Sequence, residues 1–191
     1  IIALVMVVVA AMLTSTTIAR EWETGTMEQL ISTPLRAPEL IFGKVVPYFA
    51  IGMTDVALAV MIGKWIFDVP IVGNAGLLFA LAAVFLTGIL FFGLLLSIRL
   101  KSQVLANQMA IITGFMPTLL LSGFVFAIEN MPLPLQFLTY IFPARYFIAI
   151  LRGIYLKGIG LEILWVDALF LATYALLMMV AANRAFAFKL E

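Results

Sequence analysis

Ala75-Gly-Leu-Leu-Phe-Ala-Leu-Ala-Ala-Val-Phe-Leu-Thr-Gly-Ile-Leu-Phe-Phe-Gly-Leu-Leu-Leu-Ser-Ile98 contains no charged residue and no proline. About 20 such residues, rising ~1.5 Å each, cross the ~30 Å hydrocarbon core of a bilayer. A run that is apolar on every side has no polar face to turn to water, so it reads as a helix in lipid. Backbone groups in lipid must bond within their own segment, and the alternation of a barrel strand is missing. The fold class is therefore all-α integral membrane.

Four further stretches meet the same test: 1–18, 41–67, 104–128 and 161–183. The expectation is a helical bundle of about five transmembrane helices, with Gly114 and Pro117 bending the fourth. The run 135–151 is different, because Pro143 and Arg145 stand at its centre. An arginine in mid-bilayer costs several kcal/mol unless it pairs or snorkels. Residues 128–160 are therefore expected to hold an external re-entrant helical segment, a broken pair that dips in without crossing.

Composition agrees. Of 191 residues 65% are apolar and 11% charged, with a net charge of +1. Too few polar side chains exist to coat a soluble domain, and no basic surface is left over for nucleic acid. The lipid bilayer is the expected surrounding. Cys and His are both absent. That removes disulfides, thiol chemistry, the commonest general base and the commonest metal ligand. No catalytic, cofactor-binding or metal site is expected.

With five crossings, segments 19–40 and 99–103 and the C-terminus share one side. They and the adjoining span end carry Arg20, Arg36, Lys44, Arg99, Lys101, Arg184 and Lys189, against Lys64, Arg145, Arg152 and Lys157 opposite. The positive-inside rule makes the first side cytoplasmic, C-terminus included. Ile1 already lies inside an apolar run, so the chain is expected to be a piece cut inside or just before a span.

Segment 19–40 is the most informative loop. Thr26 followed three residues later by Gln29 reads as a capping box. Met27, Leu30 and Ile31 then share one helix face. Gly25 suits a sharp turn into the helix, and Pro34 restricts Thr33 and ends it. The plainer reading is a helix that tidies a loop at the membrane surface. The sharper one is a docking helix for a soluble protein. Lipid-binding surface helices carry Lys and Arg on the polar face, whereas this one offers Glu21, Glu23 and Glu28.

The run Arg20-Glu-x-Glu-x-Gly-Thr-Met-Glu-Gln-Leu-x-x-Thr-Pro34, then Glu39-Leu40 and Gly43-Lys44, closely resembles the permease subunits of type-2 ABC exporters. So do Leu121-Ser-Gly-Phe-Val-Phe, Glu129-Asn-Met-Pro, Pro143-Ala-Arg-Tyr-Phe and Leu151-Arg-Gly-Ile-Tyr-Leu-Lys-Gly, which resemble that family's last external re-entrant segment. The similarity covers nearly all of the chain, and bacterial multidrug-type exporter permeases are the nearest subgroup. The resemblance implies that 1–191 is an ABC-2 type transmembrane domain lacking the first of six membrane helices and any external domain. It implies a permease dimer, homo- or heteromeric, in the inner (plasma) membrane. It also implies that 19–40 is a coupling segment docking in a groove of a separate ATP-binding subunit, through Glu21, Glu23, Gly25, Thr26, Met27, Glu28, Leu30, Ile31 and Pro34. ATP and Mg would sit on that partner. No G-x-x-x-x-G-K-[ST] run occurs here, since Gly43-Lys44 and Gly63-Lys64 are followed by Val and Trp. The expected function is thus a non-catalytic permease exporting drugs or other hydrophobic compounds.

Five polar residues are candidates for the pathway or a gate. Asp55 in mid-span costs about 2.5–3.5 kcal/mol to insert. It is either a handle for protons or cationic compounds, or a structural aspartate bonded to Tyr48, Thr54 or a neighbouring helix. Asn107, beside Gln108, is either pathway lining or interhelical glue. Glu129, Arg145 and Arg152 form either an outer gate or a structural ion pair fixing the broken helix. The rival function is an ion-coupled secondary transporter or channel centred on Asp55. A membrane enzyme is disfavoured without His, Cys or clustered carboxylates.

Overall fold

The computed structural model describes residues 2–32, 36–69 and 72–187, and among these it is all helical. Five helices are long and apolar enough to cross a membrane: Ile2–Thr24, Pro38–Trp65, Ala75–Leu100, Gln103–Leu121 and Leu161–Phe186. They lie where the hydropathy of the sequence put them, and their ends differ for identifiable reasons.

Helix α1 (Ile2–Thr24) runs past the limit expected at residue 18. Charges ended the apolar window but not the helix, because Ala, Arg and Glu are good helix formers. Gly25, at φ +73°, ends it. The short α2 (Met27–Ile31) follows, and then α3 (Ala37–Trp65). Pro38 sits in the first turn of α3, where no donor is needed. Glu39 accepts a hydrogen bond from the Arg36 backbone N–H at 3.1 Å.

Helix α4 (Ala75–Leu100) contains the charge-free run 75–98, and it forms the centre of the bundle, packing on α1, α3 and three later helices. Asn74 caps it, its Oδ1 accepting from Gly76 N at 2.8 Å and Leu77 N at 3.3 Å. Small residues let the neighbours close in, as is usual where lipid supplies no hydrophobic drive between helices. A Cβ on Gly93 would stand 2.7 Å from the Ala11 carbonyl oxygen of α1.

The fourth span is α5 (Gln103–Ala110), a π-turn (Ile111–Phe115) and α6 (Met116–Leu121). The expected bend at Gly114 and Pro117 takes the form of this π-turn, in which Met116 N bonds Ile111 O five residues back. Pro117 has no N–H to give, and its ring would press on the Thr113 carbonyl in a regular helix; the wider turn relieves both. The span stops at Leu121 and not at residue 128. Bends follow, with Gly123 at φ +80°, and then a 3₁₀ turn (Ile128–Asn130).

The broken pair is α7 (Leu133–Thr139) and α8 (Pro143–Lys157), bent by 82°. Pro143 opens α8 and cannot continue α7. Face-to-face rings hold α8 in place: Phe147 on Phe85 of α4 at 4.2 Å, and Tyr146 on Phe170 at 4.1 Å. Phe170 belongs to the last helix, α9 (Leu161–Ala187).

Candidate functional site

Successive residues of a helix turn by about 100°, so three in a row point three ways. At the end of α1 this geometry sends Glu21, Trp22 and Glu23 to three different helices. Glu21 forms an ion pair with Lys44 of α3, both side chains being about three-quarters buried or more. Trp22 lies beneath Lys101 at the end of α4, with Nζ 3.9 Å from the ring centroid. The Glu23 carboxylate accepts from Gln103 N at 2.8 Å and Gln103 Nε2 at 2.6 Å, at the start of α5. Deeper in, Ser97 Oγ of α4 accepts from the backbone N–H groups of Ile18 at 3.0 Å and Ala19 at 2.8 Å. The end of α1 is therefore a hub joined to α3, α4 and α5.

Helix α2 hangs from this hub by the Gly25 turn. The expected capping box is not formed. Thr26 is itself helical (φ −73°, ψ −13°), whereas a capping side chain needs an extended residue. Its hydroxyl instead meets that of Thr24 at 3.0 Å. Met27 is 1% exposed within this chain's core, and Leu30 packs against the same core. The apolar side of α2 thus faces its own bundle, where a partner's groove had been expected. Glu21 and Glu23 are engaged inside the chain as well. Glu28 is exposed and, among the described residues, has no side-chain partner. The Ile31 side chain, Thr33 and Pro34 lie outside the described residues.

At the opposite end, Arg145 donates to Thr139 Oγ1 and lies 3.8 Å over the Tyr140 ring. Arg152 Nη2 donates to the Gly123 carbonyl at 2.7 Å. Glu129 is exposed on its 3₁₀ turn, and among the described residues it pairs with neither arginine. The structural ion pair is thus replaced by a hydroxyl, a ring face and a carbonyl that lie closer to the guanidiniums. All three charged residues still line one cleft of about 400 Å³, together with Gln136.

The other candidates lie apart from both clusters. Asp55 is half-buried on α3 with no partner among the described residues; the Thr54 hydroxyl donates to Ala50 O at 2.8 Å instead. Asn107 is half-buried and Gln108 exposed, and neither side chain is hydrogen-bonded among the described residues. Lys44, Ser97, Lys101 and Gln103 were missed as site residues. Their partners are too distant in sequence to leave a periodic signal: Ser97 is 79 positions from Ile18, and Gln103 is 80 from Glu23.

Residues 1–156 match the family described as ABC-2 type transporter. The chain is 40% identical over 176 residues to the probable multidrug ABC transporter permease YbhS of Escherichia coli K12, covering 92% of this chain and 47% of that protein. It is 36% identical over 167 residues to the probable multidrug ABC transporter permease YbhR of the same organism, covering 86% and 44%. It is 27% identical over 158 residues to its inner membrane transport permease YhhJ, covering 82% and 42%. The chain thus spans less than half the length of these relatives. With five candidate spans and the α1 hub in place, the conclusion is that this chain belongs to the ABC-2 type transporter family, one of membrane permeases rather than enzymes.

Proposed function

We propose that the chain is the membrane part of an ATP-driven exporter, lining the translocation path as one of two permease subunits and moved by a separate ATP-binding subunit. The observation that carries this reading is the α1 hub. A push on α2 reaches α3, α4 and α5 through Glu21, Trp22 and Glu23, the rigid connection that a domain-level switch requires. Met27 and Leu30 fix α2 to the bundle, so force on its exposed side, at Glu28 and Gln29, is passed on and not lost in a loose loop. Glu28 at the rim tunes recognition of a basic partner surface more than affinity. ATP and Mg belong to that partner. The α2 end is cytoplasmic and the membrane is the inner one, as the printed name of YhhJ suggests for that relative. Hydrophobic or cationic drugs are the proposed cargo, following the printed names of YbhS and YbhR.

The test is co-purification of the full-length parent protein from its native membrane, with an ATPase assay of what accompanies it. A stoichiometric ATPase, released by Glu28→Lys, is expected. Unchanged pull-down and ATPase stimulation in Glu28→Lys would remove the docking role. Transport that survives ATP depletion would favour an ion-coupled carrier.

A further inference from the structure

The cleft at the α7–α8 bend holds opposite charges that have not collapsed onto each other. Arg145 and Arg152 line it, Glu129 lines it too, and among the described residues no ion pair joins them. Its wall includes Ser122, which is 2% exposed and whose Oγ has no hydrogen-bond partner among the described residues. A buried hydroxyl left unbonded is costly, and a ligand oxygen in the cleft would satisfy it. Gln136 has used its amide N–H groups on Met131 O at 2.9 Å and Glu129 O at 3.5 Å, leaving the arginines and Ser122 as the donors.

A second feature adjoins the first. An apolar groove of about 560 Å³ is lined by Met116, Leu120, Leu121, Phe126 and Leu135 among others. The two adjoin along the chain. Leu121 lines the groove and Ser122 the cleft; Phe126 and Ala127, Asn130 and Glu129, and Leu135 and Gln136 divide in the same way. One ligand spanning both would have a charged head and a long apolar tail.

The charge balance says which head. Two guanidiniums and one carboxylate line the cleft, so a head with both an anionic and a cationic group meets all three, whereas a purely anionic head leaves Glu129 facing like charge. A phosphate would take the arginines and Ser122, and an ammonium on the same head would take Glu129. We propose that this end of the chain binds a zwitterionic glycerophospholipid carrying a primary-amine head, with the head in the cleft and an acyl chain in the groove. The occupant is a lipid of the leaflet at this end.

The test uses the full-length permease purified in mild detergent, with lipid retention read by native mass spectrometry. Phosphatidylethanolamine, phosphatidylglycerol or phosphatidylcholine is added back in turn. Retention of phosphatidylethanolamine is expected to exceed that of the other two by about tenfold or more, the scale of one hydrogen bond to a charged group. Glu129→Gln should abolish the preference for the amine head without reducing phosphatidylglycerol retention. Arg152→Gln should lower retention of all three. Arg152 also bonds the Gly123 carbonyl, so Glu129→Gln, on an exposed side chain without a partner among the described residues, keeps the test clear of misfolding. Soluble glycerophosphoethanolamine should fail to compete, because it has no tail for the groove. Equal retention of the three lipids, or wild-type preference in Glu129→Gln, would overturn the proposal. Full competition by the soluble head group would overturn the lipid as occupant. High-yield crosslinking between cysteines introduced at Leu120 and Leu135 of two copies would assign the groove to a second copy and also overturn it.

Discussion

Glu23 holds the first residue of α5 by both its backbone and its side chain: Gln103 N lies 2.8 Å and Gln103 Nε2 2.6 Å from the carboxylate oxygens. The contact is exposed, so its worth lies in register more than in stability. It fixes the start of α5 to the end of α1, beside the turn that carries α2.

If the hub transmits force, Glu23→Ala and Gln103→Ala should each reduce stimulation of the partner ATPase by about threefold or more, and the double variant should do no worse than either. Residues sharing one interaction are non-additive in this way. Expression and lipid retention should be unchanged. Additive losses in the double variant would show that the two residues act separately.

Gly25 tests the turn itself. Its φ of +73° is one that side chains rarely adopt, yet a Cβ there would meet nothing within 4 Å. The cost of substitution is thus backbone strain alone, about 1–2 kcal/mol for a residue such as Val. Asn tolerates the left-handed region better. Gly25→Asn should retain most ATPase stimulation and Gly25→Val should lose it. A loss of equal size in both would mean that the Gly25 surface is itself a contact.

Ser97 is the buried counterpart. Ser97→Ala strips a second, interhelical acceptor from two buried N–H groups inside α1, and losing such buried hydrogen bonds costs about 0.5–1.5 kcal/mol each. Thermal unfolding of the full-length permease should move to lower temperature by several degrees. An unchanged midpoint would mean that the remaining helical carbonyls satisfy both groups.

How far the sequence could be read follows the range of the interactions. The spans are set by runs of apolar residues, a local property, so all five were legible, and Pro143 with Arg145 marked the broken pair. The end of α1 was misplaced because Arg20, Glu21 and Glu23 break the apolar run yet suit a helix. The end of the fourth span was misplaced because 122–128 is apolar enough for lipid, and only the backbone turn at Gly123 reveals the stop. The α2 helix was found, but the packing of its apolar side was not. Met27 fits a buried core and a docking anchor equally well by periodicity, and only the packing of α1 and α2 distinguishes them. Glu21 and Glu23 looked available because Lys44 and Gln103 lie far along the chain.

Asp55 separates the two transport mechanisms. It is half-buried in mid-span and, among the described residues, lacks the hydrogen bonds expected for a structural aspartate. Asp55→Asn should therefore leave folding intact and lower efflux of cationic compounds several-fold, with neutral compounds unaffected and ATP dependence retained. Equal efflux of both classes in the variant would remove the handle. Loss of all transport together with proton coupling would instead make Asp55 the centre of an ion-driven carrier.

Gly93 tests the closest approach in the bundle. A Cβ there would collide with Thr14 Oγ1 and stand 2.7 Å from the Ala11 carbonyl oxygen and 3.1 Å from Ala11 Cα. The hydroxyl can be removed, but the backbone of α1 cannot move without disturbing the Ile18 and Ala19 bonds to Ser97. Gly93→Ala should cost about 1–3 kcal/mol, the usual range for overpacking. Adding Thr14→Ala should recover less than half of that. Gly63→Ala is the control, since a Cβ at Gly63 meets nothing within 4 Å and alanine is the better helix former. Its melting temperature should hold or rise. Full rescue of Gly93→Ala by Thr14→Ala would show that the hydroxyl, and not the α1 backbone, sets the distance between α1 and α4.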